Sequence, residues 1–211
     1  MKVLTMGGDA MLDYQVKCYY HAPYLGMRHP ENTIPFVNVL KNDFCTRRAH
    51  EIAESESALR DVLRNDFARI VALHGPLTVC GIPRSKAETA YSQSQMGLKR
   101  AIRSVVREFP ELWDGMDFIV RHSNTRTTHL NRSGYGGEGC LPYRGITRDT
   151  CWMSSEICGR NILLVDDIYT PGVGIDEDAV QALFDAGAAN VVFYAVGKAR
   201  GNTGYVSRFC D

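Results

Sequence analysis

The stretch Ile162-Leu163-Leu164-Val165-Asp166-Asp167-Ile168-Tyr169-Thr170-Pro171-Gly172-Val173-Gly174 decides how the whole chain is read. Ile162 to Val165 is a short apolar run, which predicts a buried strand, and two acids stand at its carboxyl end. After the glycine-bearing turn, Asp176-Glu177-Asp178 brings negative charge to a helix start, where free N–H groups favour it. Ala179, Leu183 and Ala186 supply an apolar stripe, and Gly187 ends the helix. Val191 to Val196 follows as the next strand. Strand, helix and strand joined by short turns indicate a parallel sheet, whose ligands sit beyond the carboxyl ends of its strands.

Working upstream, the same alternation continues. Leu77 to Ile82 predicts a strand stopped by Pro83. Leu98, Ala101, Ile102, Val105, Val106 and Phe109 fall at i, i+3, i+4, i+7, i+8 and i+11, the pattern of an amphipathic helix, closed by Pro110. A second strand is expected from about Met116 to Val120. An earlier helix starts at Thr46, which can cap it, and ends before Gly75-Pro76. The fold expected is α/β, a doubly wound parallel sheet over residues 46–211. Residues 1–45, with β-prone runs at Val3 to Thr5 and Tyr14 to Tyr20 and a Pro/His/Gly-rich connection from His21 to Pro30, are expected to form a small N-terminal cap or hood, with His21, Tyr24, His29 and Phe36 as candidate lining.

Composition sets the outer bounds. The 211 residues suit one generous domain; 45% are hydrophobic and 23% charged, the balance of a folded globular protein. Twenty-four basic residues match 24 acidic ones, which argues against a globally basic nucleic-acid binder while leaving a local basic face open. No apolar run is long enough to span a bilayer and the first residues lack a signal-peptide core, so a cytoplasmic location is expected. Seven scattered cysteines without a C-x-x-C pair read as free thiols; a metal site of Cys140, Cys151 and Cys158 with His122 or His129 fits no tight ligand spacing.

Adjacent carboxylates at a strand end are costly without partners, and sugar hydroxyls, a hydrated divalent cation or arginines would serve. The glycines of Thr170 to Gly174 allow close backbone approach, so the N–H groups of Gly172, Val173 and Gly174 can surround a phosphate. Acids for a sugar beside a nest for a phosphate point to a sugar phosphate.

The run from Leu163 to Gly174 resembles the phosphoribosyl-diphosphate (PRPP) signature of type I phosphoribosyltransferases. The specific resemblance extends over about Asn161 to Ala199, and the segment order from Leu77 onward is loosely similar to the competence-associated and amidophosphoribosyltransferase-like branch. It implies that Asp166 and Asp167 hold the ribose hydroxyls and take the catalytic role, while Thr170, Pro171, Gly172, Val173 and Gly174 hold the 5′-phosphate. Family loops usually carry hydroxyl residues where Pro171 and Gly174 stand. Each hydrogen bond to a charged phosphate lost in this way costs about 1.5–3 kcal/mol if unreplaced. The resemblance also requires a pyrophosphate turn after an earlier strand, where Arg84, Ser85 and Lys86 stand.

Between Arg121 and Arg148 five arginines face one acid, Glu138. In the family a loop at this point closes over the diphosphate and excludes water, which makes Arg126, Arg132 and Tyr135 the expected closure contacts. Gly134 to Gly139 spells G-x-G-x-x-G, but polar residues precede it and Cys140-Leu141-Pro142 follows, not the strand and helix a dinucleotide fingerprint needs.

The activity implied is Mg²⁺-dependent transfer of a phosphoribosyl group between PRPP and an unidentified nucleobase or amine, in nucleotide metabolism. Mg²⁺ is expected to reach the protein through substrate oxygens, with Asp166 as the candidate protein ligand. The expected partner is PRPP or a related phosphoribosyl compound, with a homodimer open and no membrane. A non-catalytic ligand-binding regulator and a sugar-phosphate or nucleotide hydrolase remain alternatives on the same fold.

Overall fold

The computed structural model describes residues 1–4, 6, 15–26, 29–125 and 150–199. In chain order the elements are β1 (Lys2–Leu4), β2 (Lys17–Tyr24), α1 (Phe36–Lys41), α2 (Ala49–His74), β3 (Leu77–Gly81), α3 (Gly97–Val106), β4 (Leu112–Asp114), β5 (Ile119–Arg121), β6 (Cys151–Met153), β7 (Asn161–Tyr169), α4 (Ile175–Asp185) and β8 (Asn190–Ala199). Among the described residues, short 3₁₀ turns lie at Glu88–Ala90, Gln93–Gln95 and Ser155–Ile157.

Among the described residues, six strands form one mostly parallel sheet in the order β1-β2-β8-β7-β3-β4, in which the β1–β2 pair is antiparallel. β5 and β6 make a separate antiparallel ribbon. The chain is thus an α/β protein. Leu163 and Val165 of β7 pack in one apolar cluster with residues of α1, α2 and α3, while Ile162 and Leu164 join a second cluster with α4. Successive strand residues point to opposite faces, and a parallel strand covered on both sides must be apolar throughout, which is why Ile162 to Val165 is uninterrupted.

Three boundaries differ from those expected. The second strand of the sheet is β4, whereas Met116 lies in a turn and Ile119–Arg121 belongs to the ribbon. Leu112-Trp113-Asp114 carries one buried residue and two exposed ones, the weak pattern of a short edge strand. α2 begins at Ala49 rather than Thr46, with the Glu51 carboxylate accepting the backbone N–H of Arg48 at 2.8 Å. Residues expected to cap the domain instead extend its sheet: β2 pairs in parallel with β8 from Lys17 to Tyr24. Of the expected hood residues, His21 bonds Asp66, Tyr24 donates to Asn38, Phe36 packs partly on the core and His29 is exposed.

α1 is short, so its placement depends on contacts. Val37 and Leu40 are buried, and a Cβ on Gly97 at the start of α3 would stand 2.8 Å from a Leu40 methyl. Glycine there lets the two helices approach closely. Asn42, in the left-handed conformation at φ 43°, ends α1 with its N–H on the Asn38 carbonyl. Lys41 is thereby brought to the carboxyl end of the sheet.

Candidate functional site at the carboxyl end of the sheet

β7 does not stop at Val165; it stays extended to Tyr169, so both acids lie within the strand. Side chains of adjacent strand residues diverge, and the acids accordingly meet different layers. Asp167 reaches α1, where its Oδ2 is 3.0 Å from Lys41 Nζ. Asp166 turns to α4 and lies in hydrogen-bond contact with Asp176.

Electrostatics follows from this placement. Burial pushes the Asp166 carboxyl up to about 6, and the charge of Asp167 adds to it, against the pull of Lys41 and of the hydrogen bond from Asp176. Burial pushes Asp176 well above the usual carboxylate range, with Asp166 and Glu177 working in the same direction. Burial thus favours the protonated form of Asp176, and a proton there can bridge to Asp166. Its Oδ1 and the Oε2 of Glu177 are buried without a hydrogen-bond partner, while Tyr169 Oη donates to Glu177 Oε1 at 2.8 Å. For Lys41, burial opposes the charge, but Asp167 and then Asp166 outweigh it and raise its pKa, so the ammonium persists.

The turn after β7 has a local explanation. Pro171 and Gly172 occupy the central positions of a four-residue turn in which Val173 N–H donates to Thr170 O at 3.3 Å, with Gly172 at φ 78°. Proline followed by a positive-φ glycine is the residue signature of a type II turn. Gly174, at φ 81°, then caps α4. Of the expected phosphate nest, the Val173 amide donates within the turn to Thr170 O.

Arg84, Ser85 and Lys86 follow β3 at the same end of the sheet. The Arg84 guanidinium donates to Lys41 O at 2.7 Å, Gln95 O at 2.8 Å and Asp43 Oδ1 at 2.6 Å, and stacks 4.3 Å from the Tyr91 ring centre. It is turned into the protein, where it ties the end of α1 to the turn. Ser85 Oγ lies 3.5 Å from Tyr91 Oη, and Lys86 Nζ donates to Thr125 O at 2.6 Å. Arg126, Arg132 and Tyr135, like Gly134 to Gly139, lie outside the described residues.

The site thus gathers Asp166, Asp167, Asp176 and Glu177 with Lys41, near the turn of residues 170–174. Lys41 and Asp43 were missed because α1 is only six residues long and shows too little periodicity to announce itself. Asp176 was read only as helix-start charge, although three consecutive acids beside an acid pair were the available signal. Among the described residues no three His, Cys, Asp or Glu side chains converge as a metal group. The Asp166 carboxylate is nonetheless a hard oxygen donor of the kind that would suit Mg²⁺ when a ligand brings further oxygens. No helix among the described residues is long and apolar enough to cross a membrane. No protein-family model matches the chain, and no curated protein matches it.

Proposed function

We propose that this protein is a phosphoribosyltransferase that takes PRPP with Mg²⁺ at the carboxyl end of β7 and transfers the phosphoribosyl group to a nucleophile. The observation that carries the reading is the continuity of an acid pair, a Pro-Gly turn and a helix amino terminus at the end of a central parallel strand, where such sheets bind ligands. Asp166 and Asp167 orient the ribose, and the 170–174 turn receives the 5′-phosphate. Bound through PRPP oxygens and the Asp166 side, Mg²⁺ would offset charge on the departing diphosphate. Binding requires ligand hydroxyls to compete with Lys41 for Asp167 and with Asp176 for Asp166.

Pyrophosphate release from PRPP and Mg²⁺, measured across purine, pyrimidine and amine acceptors, tests the reading. Acceptor-dependent release supports transfer, and Asp167→Asn should remove most PRPP binding in calorimetry. Undiminished affinity in that variant would refute the site. A second reading, a non-catalytic phosphoribosyl-binding regulator, is favoured by one observation: the guanidinium expected on the diphosphate is directed inward. Binding of PRPP without pyrophosphate release would select it, and acceptor-independent release would select a hydrolase.

A further inference from the structure

We infer that Lys41, a residue of the N-terminal segment, is the cation that meets the anionic group at the anomeric end of the ligand, and that Arg84 is a positioning residue for it. The inference rests on the proposed phosphoribosyl site. Lys41 Nζ sits 3.0 Å from Asp167 Oδ2, in a pair whose side chains are each about one-fifth exposed. An ammonium has three hydrogens to donate, so a bond to Asp167 leaves it able to bridge to a ligand oxygen. Of the ribose hydroxyls assigned to the acid pair, the 2′-hydroxyl stands on the carbon next to the anomeric carbon, so the leaving group lies on the side of the ring that the acids and Lys41 face.

Arg84 cannot supply that charge in this arrangement. Both terminal nitrogens are committed to Lys41 O, Gln95 O and Asp43 Oδ1, and its face is stacked on Tyr91. Two of those bonds fall on the segment that carries Lys41, so the guanidinium fixes the backbone from which the ammonium projects. The acids around Lys41 hold it protonated, and a fixed positive charge aimed at a group that becomes more negative as its bond breaks is worth more in the transition state than in the ground state.

Calorimetry with PRPP and with ribose 5-phosphate, which lacks the diphosphate, tests the assignment in wild type, Lys41→Met and the charge-conserving Lys41→Arg. Thermal unfolding confirms that each variant is folded. Lys41→Met should weaken PRPP roughly tenfold or more and ribose 5-phosphate far less, and Lys41→Arg should regain part of the preference for PRPP. Arg84→Met should weaken PRPP in the same direction, with the loss largely absent when Lys41 is already Met. Equal losses for the two compounds in Lys41→Met would show that Lys41 only neutralises Asp167 and would overturn the inference while leaving the site intact. Failure of wild type to bind either compound would overturn the proposed function itself.

Discussion

Replacing Arg84 by Met separates a guanidinium that holds the fold from one that merely waits for a ligand. The side chain makes two hydrogen bonds to backbone carbonyls, one charge-assisted bond to Asp43 and a ring contact with Tyr91. The carbonyl bonds are worth about 1 kcal/mol each, the charged one about 2 and the ring contact about 1. Arg84 and Asp43 retain 26% and 17% side-chain exposure, so water offsets part of each loss, leaving about 3 kcal/mol. For a chain of this length about 3 kcal/mol lowers Tm by about 6–12 °C. Circular dichroism melts of wild type, Arg84→Met and Arg84→Lys give the reading. Lysine keeps the charge but not the planar fork, so it should rescue only a small part of the loss. A Tm for Arg84→Met within about 2 °C of wild type would refute the anchoring argument and return the guanidinium to the ligand.

Burial of Asp166 makes stability depend on pH in the reverse of the usual carboxylate sense. Because Asp166 titrates at about 6 when folded and near 3.8 otherwise, its stabilising proton is present at acid pH and lost as pH rises between those values. Asp166→Asn, which removes the titrating carboxyl, should flatten that decline in Tm-against-pH curves. A second buried acid, Asp66, accepts from His21 Nδ1 and Tyr194 Oη, each at 2.9 Å. Burial opposes its charge, but these bonds and His21 outweigh it and lower its pKa, so its contribution is present above the ordinary range and lost as pH falls through the folded value. Asp66→Asn should cost about 1–3 kcal/mol at pH 7 in urea unfolding, and its gap from wild type should close at acid pH; a gap that widens there would contradict the sign. Gly172→Ala, at φ 78°, should lower stability by about 1–2 kcal/mol through left-handed strain alone. An unchanged urea midpoint would show that the turn rearranges freely.

Much of the architecture was legible because its signals are local. The run Ile162 to Val165 is apolar on both faces, as only a strand covered from both sides needs to be. The α3 stripe and the glycine after α4 mark their elements by periodicity and by φ. The turn at Pro171-Gly172 is likewise written in residues that permit few other conformations. The edge strand β4 and the six-residue α1 escaped notice, since neither is long enough to establish a period and both are held by neighbours far away in sequence.

At the site the division is sharper. By itself the sequence determined that two acids, a tight turn and an acidic helix start succeed one another beyond an apolar strand, because adjacency along the chain and backbone preference need no partner to be read. Tertiary structure alone decided which groups those acids face. β7 continues extended through Asp167 and sends neighbouring carboxylates to different layers, one to Lys41 of α1 and the other to Asp176 of α4. It also turned Arg84 inward, onto a segment more than forty residues earlier in the chain. Charge partners of this kind are set by where helices pack, and packing is a sum over many distant contacts that no local pattern encodes.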